Sequence, residues 1–398
     1  MATYREVLGV TEFRALFAGH STTVVAKNMQ QLALASLVFA TTGSPLLAAV
    51  AFLAGLLPHA VVALSLLSLA DRLPPRGALI AFDLGRAAAL GLLAGGVLPL
   101  WAIFAVVLLA GAGDALAAAI RLALVADVLR DGYVAGRALL NIVVGVMQVL
   151  GYAVGGVLLS LVGAGGALCT AAGFSLLAAA VTRSGLRRHR PRGAGRGALR
   201  STWAGNRAIL GDTRARGLLW AHWIPNGLIV GAEALYIPYA GASASVLFVS
   251  AGVGMLVGDA VIGRLGAATR GRLILPALVL LAVPYLAFAW RPPVPVAAVL
   301  VAVASVGFGS TLGVQERLLR VLPAARHGQG LGLAMSGMMT MQAVAVALAG
   351  ATAEMFGPTT AMAMAAAGSL AVTGALLPHV APRWRAARTA AAALTAVR

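Results

Sequence analysis

Polar residues in this chain are confined to short breaks between long apolar runs. Runs of roughly 18 or more apolar residues recur along it, each long enough to cross a bilayer as a helix. The first half reads as six helices, about 15–40, 46–70, 78–98, 100–126, 134–161 and 164–182. The second half gives six more, 217–240, 243–263, 273–290, 295–316, 329–352 and 358–379. Gly and Pro mark the breaks, as at Gly43-Ser44-Pro45, Pro74-Pro75, Gly165-Gly166, Pro292-Pro293 and Gly357-Pro358. The blocks rich in Ala, Leu and Val do not alternate, so a membrane barrel is set aside. The expected fold class is an all-α membrane protein with twelve transmembrane helices in two six-helix bundles.

Between the halves runs a stretch from Arg183 to Arg216 with ten arginines and one acid, Asp212. The expected organisation is therefore a bundle over 1–182, a basic cytoplasmic linker over 183–216, and a second bundle over 217–398. The last would end in a short basic cytoplasmic tail. The halves also share an internal repeat. A shift of 194 aligns Gly136 with Gly330, Met147-Gln148 with Met341-Gln342, Gly156 with Gly350 and Gly163 with Gly357. Near the start of each half a shift of 202 aligns Arg14, Leu16 and His20 with Arg216, Leu218 and His222. Two parallel six-helix repeats are a layout of secondary transporters.

Composition sharpens this picture. Hydrophobic residues make up 60% of the chain and only 11% are charged, with a mean hydropathy of +0.92, which excludes an ordinary soluble protein. The net charge of +18 could suggest nucleic acid. The arginines, however, gather in alternate loops, termini and helix ends on one side, Arg291 alone falling on the other, and this is the positive-inside pattern. No soluble basic module is present to bind nucleic acid. The pattern puts both termini in the cytoplasm, and it favours an even helix count. The excess of arginine over the single lysine, with abundant alanine, points to a GC-rich bacterium and hence to the inner or plasma membrane. No cleavable signal is seen, so the first spanning helix is expected to act as its own insertion signal. The one cysteine, Cys169, leaves no disulfide framework, and no metal site or cofactor is expected. There is no phosphate-binding loop of the Gly-x-x-x-x-Gly-Lys-Ser/Thr type, and no Ser/His/Asp spacing, so an enzyme is not expected.

Chemistry can then reside only in polar residues that the helices carry into the membrane. Lys27, the only lysine, lies near the middle of the first helix. At 100° per residue it shares a face with His20, Thr23, Gln30 and Gln31. A lysine at that depth costs about 2.5–3.5 kcal/mol, so it must face a water-filled cavity or a carboxylate. Asp114 in the fourth helix and Glu233 in the seventh are the candidate partners. His222, Asn226 and Glu233 share one face of the seventh helix. Intramembrane carboxylates are candidate proton carriers, and the bland alternative is a structural ion pair with Lys27. Helix ten adds only Ser310 and Thr311. Arg121 reads as a charge at the cytoplasmic end of helix four. In the fifth helix, Gly151, Gly155 and Gly156 allow close helix contact. Gln148 and Gln342, equivalent in the repeat, read as packing residues able to hydrogen-bond across the interface between the halves.

The stretch FRALFAGH, then Thr42-Gly43-Ser44, then LLPHAVVALSLLSLADRLPPRGALIAFDLGRAAAL resembles the major facilitator superfamily, in its bacterial branch of siderophore and drug exporters. That family carries Gly-x-Leu-Ala-Asp-Arg and a basic pair after helix two. Here Leu69-Ala70-Asp71-Arg72 and Arg76 remain, with Leu67 at the usual glycine, and Gly258-Asp259 through Gly263-Arg264 is a weak echo in the second half. The resemblance implies that Asp71, Arg72 and Arg76 latch one conformation, and that helices one, four, seven and ten line a central cavity. It departs at Ala26-Lys27, where relatives place Gly-Asp, and at Tyr152, where exporters place proline in a glycine-rich antiport motif. It implies proton-coupled efflux of a small amphipathic organic compound by alternating access, with small-molecule substrate, protons and lipid bilayer as partners and a monomer as the working form. The alternatives are uptake or exchange of an anionic solute, for which Lys27 is an apt counter-charge, and a transport-inactive membrane sensor.

Overall fold

The structure, a computed structural model, describes residues 4–56, 58, 73–129, 133–189, 198–323 and 326–380. Among these every regular element is a helix. In a bilayer only helices and closed barrels satisfy their own backbone polar groups, and a chain this apolar has no other choice. The first span is Thr11–Thr42, and the second begins with Pro45–Leu53 and the turn Ala54–Leu56. The third is Pro75–Ala94 and the fourth Leu100–Leu129. The fifth and sixth lie within Tyr133–Gly185. The seventh is Thr213–Glu233, continued by Tyr236–Ala240, and the eighth is Ala244–Arg264. Ala267–Leu286 is the ninth, and Val294–Val306 with Ser310–Val321 forms the tenth. His327–Phe356 and Pro358–Ala375 are the eleventh and twelfth. Seven helices among the described residues are long and apolar enough to cross a membrane by length and composition. The first and seventh spans, which carry the polar stripes, are less apolar.

The break between the fifth and sixth spans falls at Gly163, with φ 70° and ψ −176°. Its partner in the repeat, Gly357, separates the eleventh and twelfth with φ 82° and ψ 158°. Both lie where a side chain would be strained, so glycine is required at the same corner of each half.

The described residues of the central basic stretch are partly helical. The sixth span runs through Gly185, and a further helix occupies Ala198–Gly211. The seventh span starts at Thr213, and not at 217, because the Asp212 carboxylate caps it. That carboxylate accepts from the backbone N–H of Arg214 (2.8 Å) and Ala215 (2.9 Å).

The chain packs as two compact units. The first comprises the chain up to Leu199 together with Tyr236–Gly252. In it the first span packs along the fifth and sixth, around cores that include Phe13, Leu116 and Leu124 at one level and Met29, Leu90 and Leu168 at another. The second unit comprises Arg200–Leu235 and the chain from Val253 onward. In it the seventh span packs on the eleventh and twelfth, with Leu219, Ile274 and Leu318 in its core. Each unit thus repeats the other's packing order.

In the first unit the fifth span approaches the first very closely. A Cβ on Gly151 would lie 2.8 Å from Asn28 Cβ and 3.0 Å from the Val25 carbonyl oxygen, and one on Gly155 would lie 3.3 Å from Met29 Cα. Gly156 abuts Ser245 in the same way. Only residues without a side chain permit this approach.

Candidate functional site

In the first unit the polar stripe of the first span meets the third and fourth spans. Lys27 Nζ stands 3.8 Å from Asp114 Oδ2, and Asp114 Oδ1 is in direct contact with Arg86 Nη2. Asp83, one helical turn before Arg86, accepts a hydrogen bond of 3.3 Å from Thr23 Oγ1. Asp83 and Arg86 are each only 4% exposed. Arg121 lies within electrostatic reach of Asp83 and of His20, and the Nδ1 of His20 has no hydrogen-bond partner among the described residues. Gln31, further along the stripe, accepts from the Tyr152 hydroxyl at 3.4 Å.

The reason for this arrangement is local. On the third span Asp83 and Arg86 are three residues apart and therefore share a face, and that face also carries the buried Leu79 and Leu90. Burying an arginine requires a counter-charge, and Asp114 supplies it. Lys27 then sits on the open side of the carboxylate, with 28% of its side chain exposed.

In the second unit the candidates of the seventh span are distributed along its buried face. Asn226 Oδ1 accepts from Gln342 Nε2 at 2.9 Å. Gln342 therefore makes a hydrogen bond within its own unit. His222, one turn earlier, is 3% exposed, and its Nε2 has no partner among the described residues. Glu233, two turns beyond Asn226, is hydrogen-bonded by the fully buried Tyr285, and its Oε1 has no partner among the described residues.

Asp71 and Arg72 of the expected latch lie outside the described residues. Arg76 donates to the backbone carbonyl of Arg183, tying the start of the third span to the end of the sixth. The shift of 194 carries Arg76 onto Arg270 in the second unit. Arg270 there donates to the carbonyls of Gly263 (3.2 Å) and Leu265 (2.7 Å) and pairs with Glu316 at 3.0 Å. Glu316 also accepts from Arg320 at 2.8 Å.

Four participants are not evident from the sequence, Asp83 among them. Arg86 reads there as one of the arginines at helix ends, yet it is buried. Arg121, which reads as an end charge, is half-buried beside Asp83. Tyr285 passes for an apolar core residue. For Asp83 and Arg86, their spacing on one face with buried leucines is the available signal.

No protein-family model matches the chain, and no curated protein does. The fold itself has close counterparts among solved structures. A point mutant of the nucleoside transporter NupG matches with a TM-score of 0.72 at 13% identity, over 93% of this chain and 99% of that one. A POT family transporter in complex with 5-aminolevulinic acid matches with a TM-score of 0.73 at 10% identity, over 93% and 96%. The peptide transporter POT in complex with sulfate matches with a TM-score of 0.72 at 13% identity, over 96% and 99%. The chain is thus an all-helical, multi-pass membrane protein with the fold of the major facilitator transporters, and at these identities the likeness is one of fold.

Proposed function

We propose that this chain is a secondary active transporter that couples proton movement to export of a small organic compound across a bacterial inner membrane. The observation that carries the reading is that each unit sets buried, ionisable side chains into membrane-spanning helices, Asp83, Arg86 and Asp114 in the first and His222 and Glu233 in the second. Charged groups at that depth are costly and persist where a solute or proton must be handled. In the cycle, Glu233 exchanges a proton, its carboxylate held by Tyr285. Asp114 is the second candidate carrier, bound between Arg86 and Lys27. The two halves would rock around these groups, giving alternating access. Arg76 ties the start of the third span to the end of the sixth, and Asp71, Arg72 and Arg76 are the proposed latch. Gly151 and Gly155 let the first and fifth spans move as one piece, and Gly156 packs the fifth span on Ser245 of the eighth. Export is the direction favoured by the glycines retained in the fifth span, and cytoplasmic termini and a monomeric working form complete the reading.

The test is proton flux in liposomes holding the purified protein, with a pH dye inside and a panel of amphipathic compounds added. A compound-dependent flux that disappears in Glu233→Gln is the expected result. Flux that survives Glu233→Gln and fails in Asp114→Asn moves the coupling to the fourth span. Absence of flux with every compound, from folded protein, supports a sensor instead.

A further inference from the structure

Among the described residues, the cluster in the first unit holds more positive charge than it can pair internally. Lys27, Arg86 and Arg121 face two carboxylates, Asp83 and Asp114, which leaves one positive charge over. The donors are in surplus as well. A guanidinium offers five N–H groups and no acceptor. Arg86 spends Nη2 on Asp114, while its Nε and Nη1 are buried and have no hydrogen-bond partner among the described residues. At 3.8 Å the Lys27 ammonium lies outside hydrogen-bonding distance of Asp114 and makes no hydrogen bond among the described residues. An arginine that is 4% exposed cannot relieve this by losing its proton, so a buried donor without an acceptor remains a standing cost.

The geometry points to an anion site here: Lys27 and Arg86, with Arg121 behind them, take the single negative charge of an organic solute, a carboxylate or an equivalent monoanion. A monoanion neutralises the cluster and supplies acceptor oxygens to the idle nitrogens. Bonds between ionised groups are roughly twice as strong as neutral ones, so one such group would orient the solute. The Asp114 carboxylate competes for the same cations. Its removal therefore frees Arg86 Nη2 and raises the positive charge seen by the ligand. The inference assigns the substrate class of the transporter reading and rests on that reading, whatever the direction of transport.

The test is binding of benzoate to the purified full-length protein in detergent, followed by calorimetry and thermal shift, with methyl benzoate as the neutral analogue and sulfate as the dianion. Benzoate should bind saturably and methyl benzoate should not. Arg86→Gln should weaken benzoate binding roughly 10-fold or more, and Lys27→Gln several-fold. Asp114→Asn should tighten it roughly 5-fold, an effect that a purely structural ion network would not give. That variant keeps the proposal testable should Arg86→Gln fail to fold. Equal binding of the ester, unchanged or weaker benzoate binding in Asp114→Asn, or tighter binding of sulfate than of benzoate would each overturn the proposal. Proton flux without benzoate binding would refute this site alone, whereas benzoate binding without flux of any compound would refute the transporter reading.

Discussion

At the level of single residues, the difference between a paired and an unpaired group decides most outcomes. Asp114 is the counter-charge for a buried arginine, and breaking a buried pair from one side costs about 3–5 kcal/mol. Asp114→Asn should therefore lower the thermal midpoint of the protein in detergent, and added benzoate should restore more of it than in the wild type. Tyr285 donates to Glu233 from a fully buried position. Tyr285→Phe removes that bond with little change in shape, and should cost about 1 kcal/mol in stability. Compound-dependent proton flux should slow with it. Unchanged flux in Tyr285→Phe would show that the tyrosine does not set the geometry of Glu233 for proton exchange. Lys27 and Asp114 can be picked out because each is isolated in an apolar run, and isolation is visible in a sequence. Asp83 and Arg86 are hidden because they follow Pro74-Pro75 and Arg76 closely and look like the edge of a charged loop. Tyr285 is hidden for the opposite reason, since a tyrosine in an apolar helix looks like core until its hydroxyl's partner is known.

Among the helices, what counts is how closely two spans approach. The Gly151 and Gly155 contacts leave no room for a side chain against the first span. Gly151→Leu should force the pair apart and cost about 1–3 kcal/mol, as overpacking does elsewhere. The loss should appear as a lower thermal midpoint, with Gly173→Ala, at a position open to added atoms, as the neutral control. The spans themselves are legible, because runs of apolar residues and their Gly and Pro breaks carry most of the information. The ends are less so. The seventh span begins four residues before its expected start, since Asp212 looks like a lone acid in an arginine-rich stretch and is a helix cap. The corner at Gly163 and its counterpart at Gly357 show the repeat surviving in backbone geometry, where side-chain identity has largely diverged.

For the whole molecule, the two units share a packing order, and each carries its own buried polar set. The first unit gathers cations around Asp114, while the second has an acid, Glu233, with a neutral partner. A carrier of this kind would use one set to hold a solute's charge and the other to move a proton. The most direct measurement is therefore concentrative transport: radiolabelled benzoate followed in proteoliposomes across an imposed pH gradient. The account predicts accumulation against a benzoate gradient that collapses with a protonophore and is absent in Glu233→Gln. Equilibration that ignores the pH gradient, or accumulation that persists in Glu233→Gln and Asp114→Asn alike, would contradict it.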